Sequence, residues 1–378
     1  MTAESAASGT AAPGFEGVRE AFERNLAAHG ETGGAFAAMV DGELVVDLRG
    51  GSADPATGRP WGERTCAVIF SGTKGVVATA LLLLVERGQL ALDAPVASVW
   101  PEFAAAGKGE VTIAQLCSHS GGLPGLSAPF DFGDPEAMAR ALAAQAPIVP
   151  MGAPSYHAIT YGWLAGDLIR RVDGRSAGAF VRDELALPFG DLDIRIGLSP
   201  GDPLAAERAR LRCSERFAPA AFASADPDPR LQLVYGGSGI APEVWNDPVL
   251  LAAVIPAAGG VATARALATL YGHLVTPGGP IDESVLERGR QAVAVGDDSL
   301  TGRPLRFGPT GYELAGTPSE LGPAADAFGH TGAGGSSHGG WPSLRTGFSY
   351  VTAELRSEDE DVRAQTLLTA LHEALTRA

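Results

Sequence analysis

The stretch IFSGTKGVVATALLLLVER, residues 69–87, contains the longest apolar run of the chain and decides how the fold is interpreted. It places Ser71 and Lys74 three residues apart at the start of a predicted buried helix that stops at Gly88. Positions i and i+3 share one face of a helix, so the serine hydroxyl can meet the lysine amine. Unpaired amides at a helix start favour negative charge on an attacked carbonyl oxygen. The stretch therefore predicts a nucleophile beside a base, as acyl transfer requires.

The Ser-x-x-Lys spacing alone has a second interpretation, because an N-cap serine followed by a solvated lysine gives the same letters. Only two lysines occur in the chain, Lys74 and Lys108, which makes Lys74 hard to dismiss as one of many surface cations. The assignment depends on further residues elsewhere in the sequence.

Composition and charge limit the possible partners. The formal net charge of −16 over 378 residues disfavours nucleic acids and anionic membrane surfaces, both of which need a basic patch. Cys66, Cys117 and Cys213 show no C-x-x-C pairing, so we expect neither a disulfide framework nor a zinc site. The chain start lacks a basic segment followed by an apolar core, so no signal peptide is predicted and we expect a cytoplasmic location.

Hydrophobic periodicity predicts an α+β fold. Residues 15–29 predict a helix, and 34–40 with 43–48 predict a hairpin about the turn Asp41-Gly42. Further helices are predicted at 112–118, 135–144, 161–172, 177–185, 262–274 and 362–375, and strands at 306–313, 327–330 and 347–354. Residues 186–250 are rich in proline and predict an irregular insertion with surface loops.

This order places strands at both ends of the chain around a helical middle, so we expect one sheet assembled from both ends. We predict a single catalytic domain over 13–377 after a disordered tail over 1–12. Its sheet subdomain comprises 13–68 with 250–377, and its mostly helical subdomain comprises 69–249.

Two further motifs lie far from Ser71 in sequence. Tyr156 precedes a predicted helix, and a phenol near a lysine ammonium ionises more easily and can relay the serine proton. The run FGHTGAGG places His330, Thr331 and Gly332 at the end of a strand, where glycines allow close backbone approach and amides can face an oxyanion. Each motif also has a plain structural interpretation, as a packed tyrosine and as a flexible turn.

Together these motifs resemble the serine β-lactamase-like hydrolases, closest to class C β-lactamases and family VIII carboxylesterases. The resemblance extends from about Phe15 to the C-terminal helix. Six stretches carry it in the family's order: FSGTKG, VERGQLALDAPVASVWPEF, LCSHSGGLPGL, YHAITYGWLAGDLIRRVDGRS, IPAAGGVATARALA and FGHTGAGG. It implies an antiparallel sheet flanked by helices, plus a mostly helical subdomain.

The resemblance also implies roles for individual residues. Ser71 matches the nucleophile, Lys74 its base, and Tyr156 the tyrosine of the Y-x-N position. The run from His330 to Gly332 matches K-T-G, and the amides of Ser71 and Ala333 match the oxyanion hole. No metal or other cofactor is implied.

Two departures from the family pattern affect the predicted substrate. Ala158 replaces the asparagine of Y-x-N, and His330 replaces the lysine of K-T-G. Those groups help to bind the amide and carboxylate of a β-lactam, so their absence favours a small-molecule carboxylic ester. The aromatic candidates for substrate-pocket walls are Phe130, Phe132, Trp163, Tyr235 and Trp341.

Several alternatives remain open from the sequence. The same acyl-enzyme serves an acyltransferase, a β-lactamase or a D-amino-acid peptidase, and a catalytically silent binding protein would retain the fold. A literal G-x-S-x-G centred on Ser337 competes as the nucleophile of an α/β-hydrolase. That elbow requires a buried strand before the serine and a helix after it, whereas the run SSHGGWPSLRTG predicts polar turns.

Overall fold

The computed structural model describes residues 7–214, 227–236, 242–316, 321–357 and 360–377. Its strands are β1 (Ser8–Ala11), β2 (Gly33–Val40), β3 (Glu43–Asp54), β4 (Arg59–Pro60), β5 (Ala67–Val68), β6 (Ile194–Ile196), β7 (Arg212–Cys213), β8 (Gly260–Ala262), β9 (Ala294–Asp297), β10 (Pro304–Phe307), β11 (Glu313–Leu314), β12 (Phe328–Gly332), β13 (Ser336–Trp341), β14 (Thr346–Thr352) and β15 (Glu354–Leu355).

Its helices are α1 (Glu16–Ala27), α2 (Gly72–Glu86), α3 (Ile113–Gln115), α4 (Pro135–Ala144), α5 (Thr160–Asp173), α6 (Ala177–Val181), α7 (Leu204–Glu207), α8 (Leu231–Tyr235), α9 (Pro242–Trp245), α10 (Pro248–Ala252), α11 (Ala264–Val275), α12 (Glu283–Gly289) and α13 (Arg363–Thr376). Within the described parts of the chain, none of the helices combines the length and apolar character needed to cross a bilayer.

One antiparallel sheet joins the two ends of the chain. Its strand order is β1-β3-β2-β14-β13-β12-β11-β10-β9, and β4 extends β3. The hairpin predicted about Asp41-Gly42 is confirmed, with both turn residues at positive φ. The predicted α+β class and the assembly of the sheet from both chain ends are confirmed.

The two faces of the sheet bury different layers. Alternation along β2 directs Phe36 and Ala38 towards α1 and α13, and directs Ala35 and Ala37 towards α2 and α11. Helix α2 is buried on nearly all sides, as its uninterrupted apolar sequence predicts. The helix that carries Lys74 is therefore a fixed central element of the core.

Three expectations about strands are wrong. The first is the disordered tail over 1–12, because β1 lies within it and pairs with β3. An open sheet edge can order a segment through backbone hydrogen bonds whatever its side chains. Residues 1–6 of the predicted tail lie outside the described chain. The single strand expected over 306–313 is two strands, β10 and β11, separated by a turn in which Gly311 N donates to Gly308 O.

The third is SSHGGW, predicted as turns, which forms the buried strand β13 between β12 and β14. Its glycines allow Phe328 and Val275 to approach the backbone closely, so a strand poor in apolar side chains still lies in the core. The expected irregular insertion contains six short elements, β6, α7, β7, α8, α9 and α10, and its residues 215–226 and 237–241 lie outside the described chain.

Candidate active site

The start of α2 is held by a strained residue and by a neighbouring strand. Phe70, buried and at φ 45°, turns the chain from β5 into the helix, a conformation that bulky residues rarely adopt. Ile69 N donates to Gly260 O at 2.9 Å, and Gly260 N donates to Thr73 Oγ1 at 2.8 Å. These bonds fix Ser71 at the N-terminal end of α2.

The structure brings the side chains of Ser71 and Lys74 together. Lys74 Nζ lies 3.0 Å from Ser71 Oγ and donates to the carbonyl oxygens of Ala158 and Ala257, each at 2.8 Å. Lys74 is 0% exposed, and this burial lowers the pKa of its amine well below the ordinary value. The interpretation of Lys74 as a solvated lysine is wrong, because its side chain is buried and its amine contacts two backbone carbonyls.

This arrangement satisfies a neutral lysine. An uncharged amine has two hydrogens and one lone pair, and the carbonyls of Ala158 and Ala257 accept the two hydrogens. The lone pair is then left for the hydroxyl hydrogen of Ser71. The geometry can therefore transfer a proton from serine to lysine without rearrangement.

Tyr156 lies beside the pair, and several contacts fix it. Lys74 Nζ is 4.9 Å from the centre of its ring. The ring stacks on Phe307 at 5.9 Å and contacts His119 at 4.9 Å between ring centres. Its backbone N–H donates to the buried carboxylate of Asp298 at 2.6 Å.

Two buried histidines, His119 and His157, support the Tyr156 loop, and neither was predicted to have a role. His157 N donates to Nδ1 of His119 at 3.0 Å, and Leu123 N donates to Nε2 of His157 at 3.2 Å. Burial lowers the pKa of His157 to about 4, so its ring remains a neutral acceptor. The only sequence signal was their presence in the stretches LCSHSGGLPGL and YHAITYGW.

Strand β12 borders the other side of the pair. A side chain at Gly332 would overlap the carbonyl of Ile69, so glycine is required for β12 to pack against the start of α2. Thr331 N and Oγ1 both donate to Glu313 Oε2, at 3.0 and 2.9 Å. In the described chain, the amides of Ser71 and Ala333 make no backbone hydrogen bond, which leaves both N–H groups available to an oxyanion.

His330 is buried on the same strand, next to Tyr156. The centres of the two rings are 6.1 Å apart, and Phe307 lies 5.9 Å from His330. Burial lowers the pKa of His330 to about 3. The K-T-G position therefore carries a neutral ring in place of a cation.

The aromatic candidates separate into three places. Phe130, Phe132 and Trp163 form one cluster, with Phe130 and Trp163 edge to face at 4.9 Å. Tyr235 packs with Tyr156 against the small cluster around Ala158. The placement of Trp341 in the pocket is wrong, because alternation along β13 turns this ring towards α13, where it packs on Phe348 and His372.

Ser337 does not occupy a nucleophile elbow. It lies inside β13, opposite Thr331 and Tyr350 in the two neighbouring strands, and is buried. No helix follows it directly, since β13 runs on to Trp341. The α/β-hydrolase interpretation of this motif is therefore wrong.

The fold and the serine–lysine pair define a serine hydrolase of the β-lactamase and transpeptidase type. The chain belongs to the Beta-lactamase family, whose model matches residues 18–372, and this confirms the resemblance found in the sequence.

Individual relatives agree with this assignment. The chain is 36% identical to Esterase/beta-lactamase LipL of Mycobacterium tuberculosis over 370 residues, which cover 92% of this chain and 82% of the relative. A solved family VIII carboxylesterase matches with a TM-score of 0.89 at 32% identity, covering 97% of this chain and 99% of that one. A penicillin-binding protein homolog from Caulobacter crescentus matches with a TM-score of 0.86 at 36% identity, again covering 97% and 99%.

Proposed function

We propose that the protein hydrolyses small carboxylic esters through an acyl-enzyme on Ser71. The observation that carries the proposal is the buried amine of Lys74, which two carbonyl oxygens hold 3.0 Å from Ser71 Oγ. Because burial lowers the pKa of this amine, it loses its proton more readily than an exposed lysine and can act as the base for the hydroxyl.

In the first half-reaction, Ser71 Oγ attacks the ester carbonyl carbon while its proton moves to Lys74 Nζ. The amides of Ser71 and Ala333 donate to the resulting oxyanion. When the intermediate collapses, the bond to the alcohol oxygen breaks, and that oxygen takes a proton from Lys74 by way of the Tyr156 hydroxyl. The acyl group remains on Ser71.

In the second half-reaction, water replaces the alcohol. One proton of the water moves to Lys74 Nζ while the water oxygen attacks the acyl carbon. The bond from that carbon to Ser71 Oγ then breaks, and Lys74 returns the proton to Ser71 Oγ. The carboxylic acid is released and the free enzyme is restored. This sequence uses no cofactor.

Two features of the site support esters over β-lactams. Residue 158 contributes a backbone carbonyl to Lys74, and its methyl side chain cannot hydrogen-bond a substrate amide. His330 is neutral and offers no cation to a carboxylate. Two of the relatives are described as an esterase and as a carboxylesterase, which agrees with this choice.

β-Lactam hydrolysis is the second candidate, because the name of LipL includes that activity as well. Turnover of nitrocefin at a rate comparable to that of esters would favour it. Transfer of the acyl group to an alcohol or amine differs only in the acceptor of the second step, and product analysis with added acceptor separates it from hydrolysis. D-amino-acid peptidase activity and the cytoplasmic location stay predictions.

The test is turnover of short-chain p-nitrophenyl esters by the wild type and by Ser71→Ala, Tyr156→Phe and Ser337→Ala. We expect Ser71→Ala to lose about three orders of magnitude or more in kcat, because it removes the covalent route. Tyr156→Phe removes the hydroxyl that relays the proton, so it should lose a large part of kcat. Ser337→Ala is the matched control, since it removes a buried serine hydroxyl from strand β13, and it should retain turnover. Wild-type turnover in Ser71→Ala together with loss in Ser337→Ala would contradict the assignment.

A further inference from the structure

The two nitrogens of His330 have different environments. Nδ1 lies 2.7 Å from the carbonyl oxygen of Thr331, so this nitrogen carries the ring hydrogen and donates it. Nε2 then carries a bare lone pair. It has no hydrogen-bond partner anywhere in the described chain, although the residue is only 3% exposed. A buried acceptor without a donor is unfavourable and calls for an explanation.

The ring of His330 lies beside the proposed catalytic residues. His330 packs against Tyr156 and Phe307, and its Cβ faces Gly75 in the first turn of α2. The adjacent residue of that turn is Lys74. The His330 ring, which carries the unmet acceptor, therefore packs beside Tyr156 and next to the turn that carries Lys74.

The charge around His330 discriminates between ligands. The ring is neutral, and the carboxylate of Glu313 lies 3.7 Å from Nδ1. An anionic group brought to Nε2 would meet a lone pair and a nearby negative charge without a counter-ion. A hydroxyl or N–H would instead complete the missing hydrogen bond.

We propose that His330 determines specificity by accepting, through Nε2, a hydrogen bond from a hydroxyl or N–H group of the substrate. The preferred substrates are then uncharged esters that carry such a donor in the acyl or alcohol part. This inference rests on the proposed ester hydrolysis at Ser71 and adds the chemical class of ester.

The test compares esters that differ only in the donor. On the acyl side, p-nitrophenyl lactate is paired with the isobutyrate and p-nitrophenyl β-hydroxybutyrate with the isovalerate; on the alcohol side, ethylene glycol monobutyrate is paired with propyl butyrate. Each pair exchanges hydroxyl for methyl. We expect kcat/KM to favour the hydroxyl member of at least one pair about tenfold or more, because the methyl analogue leaves the buried acceptor unmet. The p-nitrophenyl hemisuccinate should be the poorest substrate.

Variants of His330 separate specificity from folding. In His330→Phe an aromatic ring remains but the acceptor is lost. The ratio of kcat/KM for the hydroxyl ester to kcat/KM for its methyl analogue should therefore fall towards one. His330→Lys introduces a cation, so relative turnover should shift towards the hemisuccinate. Fluorophosphonate labelling of Ser71 and the melting temperature establish in each variant that the nucleophile and the fold are intact.

The outcomes are distinguishable. A ratio near one in every pair, with Ser71 still labelled, would overturn the role of His330 and leave ester hydrolysis standing. An unchanged ratio in a folded, labelled His330→Phe would do the same, as would a preference of the wild type for the hemisuccinate. Absence of both labelling and ester turnover in the folded wild type would overturn the proposed function together with this inference.

Discussion

The buried side chain of Arg363, at the start of α13, donates from Nη2 to the carbonyl oxygen of Gly334 at 3.0 Å. Gly334 directly follows Ala333, whose amide we assign to the oxyanion hole. The same guanidinium pairs with Glu31 at 2.9 Å and with Asp361 at 2.7 Å. An ion cluster drawn from both ends of the chain thus supports the turn next to the proposed site.

Arg363→Lys should decrease both stability and kcat. Lysine retains the charge but cannot reproduce the several directed hydrogen bonds of the guanidinium, so the Gly334 turn loosens. We expect a loss of about 3 kcal/mol in the free energy of unfolding and a lower kcat with little change in KM. Urea unfolding and steady-state kinetics measure these effects.

The matched control for that variant is Arg377→Lys, at the exposed end of the same helix, where the arginine pairs with Glu373. A surface pair of this kind contributes little, so both quantities should stay close to wild type. Undiminished kcat in folded Arg363→Lys would show that the cluster does not position the turn.

Gly75→Ala should destabilise the protein. An added Cβ would overlap the hydroxyl of Tyr271 in α11 and come close to Cβ of His330 in β12, so one of these elements or α2 must shift, and overpacking of this kind costs about 1–3 kcal/mol. Thermal unfolding measures the cost, with Gly17→Ala in α1 as the control. No atom of the described residues lies within 4 Å of a Cβ at Gly17, so there the substitution should be neutral or stabilising. Equal melting temperatures for the two variants would contradict the close packing at Gly75.

Acid should unfold the protein through its buried histidines. Burial lowers the pKa of His157 to about 4 and those of His330 and of His338, a buried residue of β13, to about 3. Unfolded histidine titrates near 6.5. Below that value the unfolded chain binds more protons, so the stabilisation is complete above about pH 6.5 and falls with the pH, by several kcal/mol near pH 5. Urea unfolding at a series of pH values gives the slope. Unfolding at pH 5.5 without proton uptake would contradict the burial of these rings.

The pH dependence of kcat/KM should follow the base. Rate should rise as Lys74 loses its proton and then level off, and the lowered pKa of Lys74 places this rise well below the ordinary lysine value of 10.5. Because the pKa of His330 is about 3, this ring contributes no step near pH 6.5. Initial rates measured with an uncharged ester give the profile. A rise centred near 10.5 would contradict a buried neutral amine.

Much of the framework could be predicted from local sequence. The turn at Asp41-Gly42, the limits of α4 and the apolar length of α2 depend on residue types and their spacing, and the structure agrees with all three. Ser71 and Lys74 meet because helix geometry alone brings residues i and i+3 together.

The rest depends on contacts between distant segments. The carbonyls of Ala158 and Ala257 hold Lys74, and a backbone acceptor leaves no mark in the residue type. Strand β13 is rich in glycine because Phe328 and Val275 pack directly against its backbone, so its composition resembles that of a turn. Trp341 shows the same limit, because the face on which its ring packs depends on a strand that the sequence did not reveal.

The most direct test of the central claim is the mass of the intact protein during turnover of a short-chain p-nitrophenyl ester stopped with acid. We predict an increase equal to one acyl group, which peptide mapping places on Ser71, and no such increase in Ser71→Ala. An acyl group mapped to another residue such as Ser337, or rapid turnover without any adduct in the wild type and with full activity in Ser71→Ala, would contradict the claim.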